Sequence, residues 1–422
     1  MQHEIRPEDH GPRGAAMAGA ISSCVHCGFC LPTCPTYLTM GEEENSPRGR
    51  IVLMKEVLEG GLTVEEASSP IDNCLGCQAC VSACPSGVEY GDLITAYRAH
   101  AERHRSRPPG ERAQRALIGA TLPRPRRFRF ATRLGMLARP LAGLAPARLR
   151  PMLELLPAKL PRSQPLPALI PAEGTRRARV ALLAGCAQQV LEPEIGWATA
   201  RVLARNGVET VVPPAQGCCG ALAMHAGRDR AARRDARRTL AAFAGEFDAI
   251  VTNAAGCGSG MREYPLLLAG EADEEQARAL AERVIDVTAF LDGLGFVPPP
   301  PPARALRIAY HDACHLAHAQ GVREAPRRLL AAAGHEVVTP DEPEICCGSA
   351  GTYNLERPET AAELGQRKAD RLLATEPDLI AAGNIGCLTQ IRTHLTPSAE
   401  IETLHTVALL DRAYDESLAG PR

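Results

Sequence analysis

The 422-residue chain has no run of 18 apolar residues, so no helix of it is expected to cross a bilayer. Residues 1–19 are polar and lack the apolar core of a secretory signal. The expectation is a cytoplasmic protein, in a compartment where thiols stay reduced. Net charge is only −2, which gives no general attraction to nucleic acid, and no nucleic-acid partner is expected. A dinucleotide fingerprint of strand, G-x-G-x-x-G and helix is missing; Gly256, Gly258 and Gly260 give only G-x-G-x-G beside a cysteine. Also missing is a general-base constellation for taking a proton from an alcohol. No substrate pocket is therefore expected on this chain.

What is present is a globular composition, 45% hydrophobic and 23% charged, long enough for two or three domains. Charge is unevenly spread. Residues 98–150 hold fourteen arginines against two acids, Glu102 and Glu111. Such a segment fits docking to an acidic partner or an anionic membrane surface, and equally a solvated linker. Six prolines in 151–171 and five more in 298–302 read as linkers.

The sixteen cysteines form two sets of repeats, with none left over. Cys24, Cys27, Cys30 and Cys34 recur 50 residues later as Cys74, Cys77, Cys80 and Cys84, each run followed by a proline. Cys186, Cys218 and Cys219 recur 128 residues later as Cys314, Cys346 and Cys347, and Cys257 is answered by Cys387. In a reducing compartment, cysteines spaced so regularly point to metal ligands.

Apolar runs at 180–183, 208–212, 249–252, 307–310, 336–338 and 379–382 read as buried strands, and 228–243 and 358–373 as helices. This alternation predicts parallel sheets covered by helices, with cysteines just after the strands. The N-terminal segment offers helical patterns at 50–59 and 91–104 and no clear strand. The expected fold is therefore multidomain, α+β and α/β. A helical module for two [4Fe-4S] clusters (1–105) leads through a basic, proline-rich connector (106–175) to two repeated Cys-Cys-Gly domains (176–297 and 303–420).

Cys24-Val-His-Cys27-Gly-Phe-Cys30-Leu-Pro-Thr-Cys34-Pro35 and Cys74-Leu-Gly-Cys77-Gln-Ala-Cys80-Val-Ser-Ala-Cys84-Pro85 are both C-x2-C-x2-C-x3-C-P. Three cysteines of such a run wrap one four-iron cluster, and the fourth ligates the other cluster. Cys24, Cys27, Cys30 and Cys84 are thus expected at one [4Fe-4S] cluster, and Cys74, Cys77, Cys80 and Cys34 at the second. Zinc sites pair C-x2-C knuckles differently. Arg48 and Arg50, between the runs, are candidates for raising a cluster potential, or simply the arginines of a helix start.

In the C-terminal half, Cys186, Cys218, Cys219, Cys257, Cys314, Cys346, Cys347 and Cys387 are candidate further cluster ligands. Adjacent cysteines reach different irons more readily than one tetrahedral zinc, and Gly220 and Gly348 allow close backbone approach. His311, Asp312 and His315 flank Cys314, either as ligands or as turn hydrogen-bonders. These tandem modules resemble those of heterodisulfide reductase catalytic subunits. In that pattern the last cysteine opens a C-x2-C pair, whereas here the partner positions hold Gly260 and Gln390. Each repeat is left able to hold a smaller cluster, a conventional one or none.

The chain as a whole resembles the iron–sulfur subunits of bacterial glycolate oxidase (glycolate dehydrogenase). The resemblance rests on the first cysteine run, Pro47-Arg48-Gly49-Arg50-Ile51, Cys84-Pro85-Ser86-Gly87-Val88, Gly217-Cys218-Cys219-Gly220-Ala221, Cys346-Cys347-Gly348-Ser349-Ala350-Gly351-Thr352-Tyr353 and Ala382-Gly383-Asn384-Ile385-Gly386-Cys387. It implies an electron-transfer subunit of an oxidoreductase complex. FAD would sit on partner flavoprotein subunits that oxidise glycolate to glyoxylate, and electrons would pass to a quinone-like acceptor, with peripheral contact at the inner face of the membrane. The alternatives are the equivalent subunit of a lactate or glycerol-3-phosphate dehydrogenase, and a thiol–disulfide reductase.

Overall fold

The computed structural model describes residues 1–146, 148–396 and 400–418. Up to residue 154 every described element is helical. Helices Gly14–Ser22, Pro47–Leu58, Val64–Asn73 and Tyr90–His104 enclose a core of Met17, Ile21, Ile51, Met54, Leu93 and Tyr97. Their starts are locally encoded. Ser46 accepts a hydrogen bond from the Gly49 amide ahead of Pro47, and Thr63 and Glu66 form a reciprocal capping box.

The rest is two parallel sheets. Strands β1 (Leu169–Ile170), β2 (Ala178–Leu182), β3 (Val208–Val211), β4 (Ala249–Thr252) and β5 (Val284–Asp286) build the first, in the order β1-β3-β2-β4-β5. Strands β6 (Arg307–His311), β7 (Glu336–Val338), β8 (Leu379–Ala382) and β9 (Glu402–His405) build the second, in the order β7-β6-β8-β9. Among the described residues only β1 pairs antiparallel. The second sheet repeats the β3-β2-β4-β5 core of the first: Ala181 lies opposite Val211 and Ile250, and its counterpart Ala309 opposite Val338 and Ile380. Every residue of β4 and β8 is buried, as expected for central parallel strands covered on both faces.

The two sheets share one core, in which Val180, Leu182 and Val202 meet Ile308, Tyr310 and Leu410. A polar clamp closes its edge. Arg201 grips the nearly buried carboxylate of Asp411 at 2.6 Å and Arg205 does so at 2.8 Å.

The basic segment is folded. It forms helices Pro109–Thr121, Pro125–Ala138 and Arg150–Glu154, and several of its arginines join modules. Arg107 bridges Asp72, Glu102 and Glu111, and Arg115 reaches Glu356 at 2.8 Å. On the outer side of Pro125–Ala138, Phe130, Leu134 and Leu137 are exposed beside Arg126, Arg127 and Arg133. Among the described residues no helix is long and apolar enough to cross a membrane.

Removing the carboxylate of the clamp leaves Arg201 and Arg205 only their exposed partners, Glu194 and Asp415. Asp411→Ala is expected to cost about 2–3 kcal/mol, read as a lower urea midpoint of the holoprotein by far-ultraviolet circular dichroism.

Candidate metal centres

Both N-terminal loops take the same path. His26 and Gly28 in the first, and Gly76 and Gln78 in the second, have φ between 57° and 84°, and these positions are related by the 50-residue repeat. Two left-handed residues per loop curl the chain so that successive thiols face inward. Cys34 then precedes a helix whose first residue is Pro35, which turns the chain away from its own loop.

Cys24, Cys27, Cys30 and Cys84 line one small pocket together with Cys80. Cys27 is exposed, and Val25 and Phe29 beside it are 66% and 64% exposed. Cys34, Cys74, Cys77 and Cys80 are buried. Burial first, then the neighbouring Cys77, Cys74, Cys34 and Cys30, push the Cys80 thiol well up. Burial, then Cys314, Cys34 and Cys74, do the same to Cys77. Thiols crowded in this way oppose one another's ionisation, and a bound cationic centre removes the conflict.

Arg50 is 1% exposed, and its Nε donates to the Pro70 carbonyl at 2.6 Å. Its Nη1 points at Cys34 Sγ at 3.7 Å, and its Nη2 at Thr36 Oγ1 at 2.8 Å and Asn45 Oδ1 at 3.4 Å. None of these partners is a carboxylate. Burial opposes its charge, but Cys74, Tyr90 and Cys34 together outweigh that and keep it charged. Burial likewise opposes a Cys74 thiolate, yet Arg50 and Arg98 hold the thiol below its ordinary value, helped by the Gly76 amide at 3.4 Å and the Tyr90 hydroxyl at 3.7 Å. A buried cation facing buried thiols is the environment of an anionic thiolate-bound cluster. By donor set and charge, the residues present fit one. Arg48, in contrast, is half-buried and pairs with Glu43 at 2.6 Å.

In the C-terminal repeats the cysteines gather at the carboxyl ends of the strands, where parallel sheets place their sites. Cys257 and Cys387 sit in the first turns of helices Ala255–Arg262 and Ile385–His394. After each cysteine pair, Gly220 and Gly348 take φ of 84° and 85°, and a Cβ at Gly348 would lie 2.6 Å from the Ala361 carbonyl oxygen. Hydrogen bonds from Cys186 and Cys219 hold the Cys218 thiol well below its ordinary value. Cys314 Sγ lies 3.9 Å from Cys346 Sγ.

All eight cysteines, together with Cys74, border a single cavity of about 240 Å³. His225 and His315 also border it, their rings stacked at 5.4 Å. Burial disfavours ionisation of Glu263, but His225, 3.2 Å away, holds its carboxyl below the usual range. Of the residues flanking Cys314, Asp312 is taken up by Arg327 at 2.6 Å. His315 Nδ1 stands 3.5 Å from Cys314 Sγ, and burial pulls its imidazole down to about 4. His311 lies beside Cys347 and Cys387. Lys368, which carries no motif, is buried with its Nζ on the Glu342 carbonyl at 2.8 Å.

The two positions that lack a fifth cysteine are closed by packing. A Cβ at Gly260 would stand 2.4 Å from the Ala221 Cβ. Gln390 donates to the Ala361 carbonyl at 2.9 Å and accepts from Asn354 at 3.0 Å.

Comparison with known proteins agrees with this division. A 4Fe-4S dicluster domain matches residues 20–88, and a cysteine-rich domain matches twice, at 180–262 and 308–392. The glycolate oxidase iron-sulfur subunit of Escherichia coli (strain K12) is 34% identical over 99% of this chain and 100% of its own length. A probable glycolate oxidase iron-sulfur subunit of Bacillus subtilis (strain 168) is 34% identical over 93% of this chain and 94% of its own length. Lactate utilization protein A of Oceanobacillus iheyensis is 29% identical over 57% of this chain and 100% of its own length.

Steric closure at Gly260 is directly measurable. Gly260→Ala should lower stability by about 1–3 kcal/mol through overpacking. Gly256→Ala, on the same helix with no atom within 4 Å of the new Cβ, should shift it by under about 0.5 kcal/mol. Paired thermal melts of the holoproteins check the contrast.

Proposed function

The chain belongs to the family of glycolate oxidase iron–sulfur subunits, and on that premise we propose that it is the electron-transfer subunit of a flavin-dependent glycolate dehydrogenase. In this reading partner flavoprotein subunits carry FAD and oxidise glycolate to glyoxylate, and a quinone-like acceptor takes the electrons. Cys24, Cys27, Cys30 and Cys84 hold one [4Fe-4S] cluster, and Cys34, Cys74, Cys77 and Cys80 hold the second. The cysteines of the two repeats hold further iron. Bound clusters supply one-electron chemistry.

The observation that carries this reading is the packing of Cys77 in one apolar cluster with Cys314 and Cys346. A series of thiols therefore runs from exposed Cys27, through the buried N-terminal set, to the cavity between the repeats. Each protein element around it has a distinct task. Val25 and Phe29 give a redox partner an apolar rim beside Cys27. Arg50 supplies fixed positive charge at Cys34. Arg98 donates to the Cys74 carbonyl at 2.5 Å and to the His225 carbonyl at 3.1 Å, tying the second loop to the first repeat. The disulfide-reductase alternative loses support, because Gly260 and Gln390 occupy the places its cysteines would need.

Peripheral membrane contact belongs to the same reading. Phe130, Leu134 and Leu137 share one stripe of Pro125–Ala138, flanked by arginines, which is the pattern of a helix lying on an anionic surface.

Three measurements test the proposal. The tagged chain, purified anaerobically from its host, should bring flavoprotein partners and support glycolate-dependent dye reduction; activity with lactate or glycerol 3-phosphate alone would sink the substrate assignment. Cys77→Ala should cut steady turnover with a quinone at least tenfold while leaving a single reduction of the partner flavin by substrate. The double variant Phe130→Glu, Leu134→Glu should reduce sedimentation with anionic phospholipid vesicles at least tenfold, and unchanged binding would refute the membrane face.

A further inference from the structure

We propose that His311 is a ligand of the iron–sulfur centre in the second repeat, alongside Cys347 and Cys387, so that the two repeats carry chemically different centres. The inference rests on the reading that the second repeat is loaded with iron.

Three observations carry it. A ring nitrogen of His311 and the sulfurs of Cys347 and Cys387 lie within 4.8 Å of one another. The imidazole is 1% exposed, and neither Nδ1 nor Nε2 has a hydrogen-bond partner. A buried ring nitrogen left bare costs about 1–3 kcal/mol, so native interiors keep such groups only where something satisfies them. Metal ligation through one nitrogen is such a partner, and neutral imidazole is an established substitute for thiolate on an iron of a cluster. Finally, the position is set by the fold. His311 is the last residue of β6, three before Cys314, on the strand that pairs with β8 and so leads towards Cys387.

The first repeat offers no equivalent. Its matching position, by the 128-residue offset, is Leu183, which is buried in the apolar core around Cys186 and Cys219. The four-cysteine plan is shared, but at this position only the second repeat offers nitrogen. That repeat also buries Lys368, whose charge burial disfavours and the thiols of Cys347 and Cys346 favour. Exchanging an anionic for a neutral donor lowers the net negative charge of a centre and raises its reduction potential. The second repeat is then the more oxidising of the two, and it is the one packed against Cys77.

The test uses the full-length protein, purified anaerobically with its partners and with histidine labelled with nitrogen-15. Iron is counted, and pulsed electron paramagnetic resonance of the reduced protein is recorded for wild type, His311→Leu and His311→Cys. The expected result is more than about eight irons per chain, the content of two four-iron clusters, with a strong nitrogen-15 coupling in the wild type. That coupling should vanish in both variants. His311→Cys should keep the iron, which shows that the fold survives, and should move that centre to lower potential. Iron above about eight with no histidine coupling, or a coupling that persists in His311→Leu, overturns the ligand assignment while leaving the loaded repeats intact. Iron at about eight means empty repeats, and overturns the premise together with the inference.

Discussion

The fold of the N-terminal module depends on a buried positive charge. Arg50 lies in the interior with hydrogen bonds to Pro70, Thr36 and Asn45 and no carboxylate among them. Isolated buried ions cost several kcal/mol each. The counter-charge available in this interior is thiolate, from Cys34 and Cys74. Thiolates crowded around Cys77 and Cys80 are in turn unstable without a cationic centre. Arginine and cluster therefore need each other, and ligation becomes part of folding. The Arg50 guanidinium also ties residues 34–45 to Pro70, alongside the hydrogen bond from Asn73 to Asn45 at 3.0 Å.

The C-terminal half shows how far a duplicated plan diverges where the backbone does not. Four strands of each sheet share one order, with β2 and β4 paired as β6 and β8 are, and each cysteine keeps its place after its strand. Some of the differences fall close to the cysteines: Leu183 corresponds to His311, Ala187 to His315 and Gly260 to Gln390 in the repeat. The backbone around the cysteines is under steric constraint, as the left-handed Gly220 and Gly348 show, so variation falls on side chains that set charge and donor type.

Much of this was legible in the sequence. Strands β4, β7 and β8 fall where the apolar runs put them, and β2, β3 and β6 within two residues at each end. The helical N-terminal module and the two cysteine-rich sheets also match expectation. Strands β1, β5 and β9 were not foreseen. β5 has three residues, and β9 reads Glu-Thr-Leu-His, too polar to stand out as a buried run. The basic segment carried no sign of its partners, because Asp72 and Glu356 lie far away in the chain. Arg50 was named near the clusters, but its burial was not visible from a helix pattern that allowed a surface arginine. The single cavity could not be read either, since it needs both repeats and the Cys74 loop to meet.

Exposure along the series of thiols is graded, and the grading has a physical consequence. Cys27 is exposed, Cys30 and Cys84 are half-buried, and Cys24, Cys34, Cys74, Cys77 and Cys80 are buried. Water stabilises the more negative, reduced form of a cluster by screening its charge, whereas in the interior only fixed charges and hydrogen bonds do so. A buried relay without compensation would thus be a barrier to electrons arriving from the surface. Arg50 and Arg98, with the Gly76 amide and the Tyr90 hydroxyl, supply that compensation where water is lost. Beyond Cys77, Lys368 is buried near Cys346 and Cys347, where burial opposes its charge and the thiols favour it. On the proposed ligation, Arg50 and Arg98 take over from solvent where the thiols become buried, which keeps the path open from the exposed rim to the cavity between the repeats.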